Sequence, residues 1–346
     1  MENLLITGAN GFLGSHLIDF CLEKGYLVYG IDLPNQKLLN LSQYLDDKSQ
    51  FLPNEKLKMF DLNIKIPSSN DHLVLLECDL TDASLLEKII LYLKPKLIFH
   101  FGAQPSVIPS WEDPRTTIET NVIGTINVFE PIKKHNLKTR VIVACTSAEY
   151  GTTTSINRPL KETDPLLPIH PYGISKVATE LLSRQYFLNF GIESINLRFF
   201  NQTGPRKIGD ACADFISKIA KIELELSEPL IEVGNLSPFR DFTGVKDSII
   251  AIWLAATRGT PGETYNVCSS RKIQIRKILE LALNFSSKKI TVKENVSNKL
   301  RATDEDIILG DNSKIREELG WKISHPIEET LEDMYNYWMD YYKRNK

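Results

Sequence analysis

Tyr172 and Lys176 stand four residues apart in Pro171-Tyr-Gly-Ile-Ser-Lys176, and a helix beginning after Pro171 puts both on one face. A phenol with an ordinary pKa of about 10 is no base near neutrality, but a neighbouring ammonium favours the phenolate and lowers that value. Tyr172 can then exchange a proton with a substrate hydroxyl while a bound nicotinamide exchanges the hydride. Thr146, at the carboxyl end of the apolar run Arg140-Val-Ile-Val-Ala-Cys145, adds a hydroxyl able to hydrogen-bond the same reacting oxygen. Thr146, Tyr172 and Lys176 are therefore the candidate catalytic residues. Tyr and Lys are common on helix surfaces, so the weight of the pair comes from what precedes it in the chain.

What precedes it begins at Asn3-Leu-Leu-Ile-Thr-Gly-Ala-Asn-Gly-Phe-Leu-Gly14. Leu4 to Ile6 suit a strand buried on both faces, Gly8, Gly11 and Gly14 form a tight turn, and Ser15 to Lys24 has helical spacing that Gly25 stops. A strand, glycine turn and helix leave backbone N–H groups and a positive helix end facing one point, which suits a pyrophosphate. Gly8 permits the turn, Gly11 lets a phosphate approach and Gly14 lets helix and strand pack closely. Asn10, Phe12 and Leu13 complete the candidate loop. The next apolar run, Tyr26 to Ile31, ends in Asp32, near the offset at which an acid takes the adenine ribose hydroxyls; a carboxylate there repels a 2′-phosphate, so the expected cofactor is NAD rather than NADP.

The pattern continues. His72 to Asp79 reads as a strand ending in an acid before the capped helix from Asp82 to Ile90, and Leu97 to Gly102 as another strand. A helix follows over Thr116 to His135. Nearly all-apolar strands alternating with helices imply an α/β fold, a Rossmann-type doubly wound parallel sheet, with ligands at the carboxyl ends of the strands. That domain is expected over residues 1–200, with 240–267 possibly returning to it; residues 201–346 form mainly a smaller C-terminal α/β substrate domain. Residues 36–70 are polar with leucine clusters and read as a surface insertion, Leu38 to Leu45 being able to form a short amphipathic helix.

Composition removes other classes. A net charge of −3 offers no field for nucleic acid, and no apolar run reaches membrane-span length. The five cysteines are scattered without a C-x-x-C pair, and the six histidines form no ligand pattern, so reduced thiols, no metal and a cytoplasmic location without signal peptide are expected. Cys145 reads as a thiol of the strand core.

The order and spacing of Gly8/Gly11/Gly14, Asp32, Asp79-Leu80, Thr146 and Tyr172/Lys176 resemble the extended short-chain dehydrogenase/reductase family across essentially the whole chain. His100-Phe-Gly-Ala-Gln-Pro-Ser-Val107, Ser110 to Pro114, Thr120 to Thr125, Arg198 to Pro205, Ile231 to Leu236, Arg240 to Thr243, Tyr265 to Cys268 and Leu300-Arg301 resemble the branch acting on GDP-sugars, GDP-4-keto-6-deoxy-mannose reductases and GDP-mannose 4,6-dehydratases. That resemblance implies a GDP-sugar substrate with Asn201, Arg240 and Arg301 on its diphosphate, Glu232 and Asn235 near its nucleoside, and Gln104 and Ser106 lining the sugar site. It implies Asp79 and Leu80 near the adenine, Gly102 and Ala103 beside the cofactor, and a homodimer formed by the helices at Thr116–His135 and Tyr172–Asn189. Two arginines and an amide N–H₂ are suited to a diphosphate.

One departure bears on the reaction. The dehydratases resemble Thr-x-Glu-x-Tyr-Gly, whereas this chain reads Thr146-Ser-Ala-Glu-Tyr-Gly151, with Ala148 in the glutamate's place. A methyl group does no acid–base work, and Glu149, one place later, is expected to point elsewhere. Hydride exchange at C4 of a GDP-linked hexose needs only Thr146, Tyr172 and Lys176. The expected reaction is reduction of a 4-keto sugar; the alternatives are a 4-epimerase with retained NAD, a 4,6-dehydratase, and, in another class, a non-catalytic NAD-binding regulatory protein. Net reduction often uses NADPH, which stands in tension with Asp32. The segment Ala302-Thr-Asp-Glu-Asp306 also departs from the relatives, which tend to carry a proline there.

Overall fold

The computed structural model describes residues 3–34, 36–45, 64–65, 72–155, 158–297 and 306–345. Arg301, the altered segment after it and most of the 36–70 stretch lie outside them. The described chain forms two compact units: residues 1–151, 165–198 and 252–265 make the first, and 152–164, 199–251 and 266–346 the second. The chain passes from the first unit to the second at Arg198/Phe199, residues 252–265 return to the first, and 152–164 belong with the second.

The strands in chain order are β1 Asn3–Thr7, β2 Leu27–Asp32, β3 Ile64–Lys65, β4 Leu73–Glu77, β5 Leu97–His100, β6 Arg140–Thr146, β7 Ser194–Phe199, β8 Asn201–Thr203, β9 Leu230–Glu232, β10 Phe239–Gly244, β11 Thr264–Val267, β12 Lys272–Gln274 and β13 Thr291–Lys293. The main sheet runs β11-β7-β6-β5-β1-β2-β4-β3, seven parallel strands with β3 antiparallel at one edge. The fold is thus the expected α/β class with a parallel sheet, a smaller sheet β12-β10-β8 and the pair β13-β9. Strand order reverses between β1 and β5, the crevice where such sheets bind ligands at their carboxyl ends.

The all-apolar runs become strands because both sheet faces are covered. Leu4, Leu5, Ile6, Ile98, Phe99, Val141, Ile142 and Val143 are fully buried. Helix α1 Phe12–Glu23 buries Leu17, Ile18 and Cys21, and α2 Ala83–Leu93 starts at Asp82, whose carboxylate accepts the Leu85 N–H at 3.0 Å. The expected single helix over 116–135 is in fact two, α4 Pro114–Ile118 and α5 Gly124–Lys134, joined through a π-helical turn at Glu119–Ile123; a short α3, Val107–Glu112, precedes them. Helix α6, Pro171–Phe190, has Pro171 in its first turn, His170 Nδ1 accepting the Gly173 N–H at 2.9 Å, and Gly191 in the left-handed conformation ending it. Leu39–Tyr44 forms a short 3₁₀ helix that buries Leu41.

In the second unit, helix α7 Ala211–Glu223, helix α9 Ile275–Leu283 and helix α11 Ile327–Arg344 enclose an apolar core of Phe215, Ile216, Ile219, Ile278, Leu331 and Met334. All five cysteines are buried and free, and no described helix is long and apolar enough to cross a membrane.

Candidate active site

The glycine turn is built as its spacing requires. Gly8 adopts φ +69°, Gly11 N–H donates to the Gly8 carbonyl at 3.0 Å, and a methyl at Gly14 would land on that same carbonyl. A Cβ at Gly8 would lie 2.8 Å from the Gly102 nitrogen, so the loops after β1 and β5 touch backbone to backbone. Gly11 caps α1 with no side chain satisfying that helix end. A cradle of close-packed glycine backbone under an uncapped helix N-terminus fits the pyrophosphate of a dinucleotide.

Asp32 ends β2 half-buried, with Oδ2 accepting the Asn10 N–H at 2.7 Å and Oδ1 the Leu33 N–H at 2.9 Å. Burial raises its pKa and those two N–H groups oppose the rise. Asn10 is also gripped by Asn40, whose N–H and Nδ2 donate to Asn10 Oδ1 and O at 3.1 and 2.8 Å, so the start of the polar insertion fixes the glycine loop. Phe12 and Leu13 are half-buried on the first turn of α1. Asp79 Oδ1 accepts from Thr81 N–H and Oγ1, Leu80 is buried with its carbonyl held by Asn127 Nδ2 at 2.8 Å, and Ala103 is half-buried beside Gly102.

Thr146, Tyr172 and Lys176 come together at the end of β6 and the start of α6. Close approach is possible because residue 173 is glycine: a Cβ there would lie 2.8 Å from the Ala148 carbonyl. The half-buried Tyr172 hydroxyl is hydrogen-bonded to Thr146, and burial raises the phenol's pKa against that bond's lowering effect. Lys176 is buried, its own pKa lowered by desolvation, and its Nζ donates to the Ala144 carbonyl at 2.8 Å. The expectation that this ammonium depresses Tyr172 is not met here, since its fixed partner is the strand carbonyl and desolvation dominates the phenol. Cys145 is buried with its thiol pushed up, in keeping with a core role.

Beneath the site lies a polar network that sequence spacing did not signal. Thr125 Oγ1 donates to the Asn121 carbonyl at 2.6 Å, so it must accept from His100 Nε2–H at 3.0 Å. His100 Nδ1 then accepts from Thr7 Oγ1 at 2.9 Å, which in turn accepts the Gly102 N–H at 3.0 Å. Burial drops the His100 pKa to about 3, so the imidazole is neutral. Asn121, carried by the π turn, joins Gln104 and Ser175: its Oδ1 accepts the Gln104 N–H at 2.7 Å and its Nδ2 donates to Ser175 Oγ at 2.9 Å. Gln104 Oε1 accepts the Ser106 N–H at 3.1 Å, with Ser106 exposed at the start of α3.

Glu149, missed as a structural group, is completely buried. Its Oε1 accepts the Thr146 N–H at 2.9 Å while Thr146 Oγ1 accepts the Ala148 N–H at 3.2 Å, a capping box. The neighbouring Glu180 and Arg198 form a forked ion pair at 2.6 and 2.8 Å, and Arg198 also donates to Tyr150 Oη at 2.9 Å.

The remaining candidates lie in the second unit. Asn201 Nδ2 donates to the Asp241 carbonyl at 3.3 Å, and buried Arg240 donates to the Phe239 carbonyl at 2.9 Å. Glu232 is exposed, 3.8 Å from Lys293, and exposed Asn235 accepts the Ser237 N–H at 3.0 Å.

A family model described as GDP-mannose 4,6 dehydratase matches residues 5–334. The chain belongs to this family. It is 29% identical to GDP-mannose 4,6-dehydratase of Yersinia enterocolitica, over 96% of this chain and 93% of that protein. It is 26% identical to GDP-6-deoxy-D-mannose reductase of Pseudomonas aeruginosa, over 70% of this chain and 80% of that protein. A structure of UDP-glucuronic acid 4-epimerase from Bacillus cereus, in complex with UDP-glucuronic acid and NAD, superposes with a TM-score of 0.79 at 26% identity, covering 98% of this chain and 100% of that one. The protein is an NAD(P)-dependent short-chain dehydrogenase/reductase-family enzyme of the GDP-sugar branch.

Proposed function

We propose that the protein exchanges hydride at C4 of a GDP-linked hexose and most resembles in action a GDP-4-keto-6-deoxy-mannose reductase. The observation that carries this reading is the place of Glu149, the acid nearest to Thr146. It is fully buried with one oxygen on the Thr146 amide, while the half-buried residue 148 offers only a methyl group. Loss of water from the sugar needs an acid–base group at the substrate; protonation of a C4 oxygen needs only Tyr172, oriented by Thr146. Bound NAD supplies the hydride chemistry, held by the Gly8–Gly14 turn, with Asp32 toward the adenine ribose and Asp79, Leu80, Gly102 and Ala103 around it. Lys176 holds the nicotinamide ribose. Asn201, Glu232, Asn235, Arg240 and Arg301 take the GDP end, with Gln104 and Ser106 toward the sugar.

Two mixtures test the reaction, the protein with NAD+ and GDP-mannose and the protein with NADH and GDP-4-keto-6-deoxy-mannose, each followed by NMR in deuterated water. Reduction of the keto sugar alone, with matching loss of NADH, is expected. Dehydration of GDP-mannose with deuterium at C5 would show instead that an acid reaches the sugar and that the family's dehydratase chemistry is intact.

The cofactor is checked by calorimetric titration with NADH and NADPH. NADH should bind at least tenfold more tightly, because a 2′-phosphate meets the Asp32 carboxylate, and Asp32→Ser should narrow the gap. Tighter binding of NADPH by the parent would overturn the assignment of Asp32.

The protein is also proposed to act as a homodimer through the outer face of α6. Ile174, Leu181 and Leu188 recur every seven residues on it and are 50%, 54% and 62% exposed, an apolar stripe too regular for a solvated helix. Light scattering at micromolar concentration should give the mass of two chains, and Leu181→Glu the mass of one; a monomeric parent would end this reading.

A further inference from the structure

The carboxyl groups of Glu149 and Glu180 and the Cys145 thiol lie within 4.8 Å of one another, all buried, behind the Thr146–Tyr172 pair. Arg198 approaches the same point, but its fork is closed on both oxygens of Glu180, and it stands 3.7 Å from Glu149 Oε2. That guanidinium takes the place a metal cation would need. Glu149 Oε2 is buried and receives no hydrogen bond from any donor among the described residues, while facing the Glu180 carboxylate. Two carboxylates cannot face each other dry with one guanidinium between them; a proton on Oε2, donated to Glu180, satisfies both. Desolvation first, and the Glu180 charge second, push the Glu149 carboxyl well above the usual range, whereas the Arg198 fork holds Glu180 low against its own burial.

We propose that Glu149 is a positioning residue, held as a neutral acid that shares its Oε2 proton with Glu180 while Oε1 anchors the Thr146 amide. Two consequences follow for the site. The capping box fixes the turn that aims Thr146 Oγ1 at Tyr172, so the orientation of the reacting oxygen depends on a residue that never meets substrate. The charges behind the site also cancel: Glu180 is matched by Arg198, Glu149 is neutral, and burial keeps the Cys145 thiol protonated. Among the described groups facing this cluster from β6, α6 and β7, Lys176 is then left as the one net charge beside Tyr172. An ionised Glu149 would raise the proton affinity of Tyr172 and oppose that ammonium.

The part of this proposal concerning Tyr172 rests on the catalytic reading above, so the experiment has one arm that needs no turnover. The infrared difference spectrum between the parent and Glu149→Gln at neutral pH should contain the carbonyl stretch of a water-shielded protonated carboxylic acid, shifting in deuterated water. In the second arm, Glu149→Gln, which keeps an acceptor for the Thr146 amide and a donor for Glu180, should retain most of kcat and the parent pH profile. Glu149→Leu should lose about 100-fold in kcat with NADH affinity kept. Absence of the carboxylic band would overturn the neutral acid whatever the reaction proves to be, and a Gln variant as damaged as the Leu variant would overturn the positioning role. If the Leu variant fails to fold, the band and the Gln variant still decide.

Discussion

Tyr172→Phe is expected to lose about a thousandfold in kcat toward the GDP-sugar while binding NADH as the parent does. The substitution removes one oxygen from a ring whose packing does not depend on it: the ring lies 6.0 Å from that of His170 in a stacked arrangement, and α6 is started by Pro171 and the His170 cap. What disappears is, among the described residues, the only titratable hydroxyl bonded to Thr146, and none of the described neighbours is placed to inherit the proton transfer. Cys145 is buried with a raised pKa, Lys176 is held by the Ala144 carbonyl, and Glu149 faces inward. Steady-state rates and a calorimetric NADH titration on the same preparation check this. A variant that turns over every candidate sugar as fast as the parent would return the fold to the competing class, a nucleotide-binding regulator that has kept the residues but not the reaction.

The second large effect concerns stability. Arg198→Met should cost about 3–5 kcal/mol at neutral pH, because it strands the Glu180 carboxylate, with both partners of the pair less than a tenth exposed. The pH dependence has a definite sign. Glu180 in the parent is held below its ordinary value of 4.5 by Arg198, so its stabilisation is present above that pH and lost as pH falls through the lowered value. The variant lacks this contribution, and its glutamate is free to take a proton. The gap between the two proteins is therefore full at neutral pH and narrows below about 4.5. Denaturant unfolding at neutral and acid pH measures it; an equal gap at both would mean that the loss is packing of the guanidinium and not its charge. Glu180→Gln with Arg198→Met should recover part of the loss, since the pair is removed together.

Much of the first unit was legible because its strands are buried on both faces. Leu4 to Ile6, Leu97 to His100 and Arg140 to Cys145 leave no room for another periodicity, and glycines at 8, 11 and 14 admit few backbones. Pro171 and the four-residue spacing to Lys176 placed the candidate pair on one helix. What spacing could not convey is contact between groups far apart in the chain. Glu180 meets Arg198 eighteen residues on, and Asn121 meets Ser175 across 54, pairings visible only once the sheet and helices are in place. The π turn at Glu119–Ile123 has no periodic signature, so a single helix was the natural expectation there. The carbonyl partner of the Lys176 ammonium was not legible for a related reason: a helix face says which residues are neighbours, not which backbone carbonyl across the sheet competes for a donor.

The chain from Gly102 through Thr7, His100 and Thr125 to the Asn121 carbonyl has only one possible direction, because an amide hydrogen begins it and a carbonyl oxygen ends it. Each hydroxyl and the imidazole must point the same way, like arrows laid head to tail. Reversing any link would set two hydrogens or two lone pairs against each other in a dry interior, so the row cannot relay a proton. The histidine in its middle is thus a spacer of fixed polarity, silent to acid across the whole neutral range, and any ionisation read from the enzyme's rate between weakly acid and weakly basic solution must come from another group.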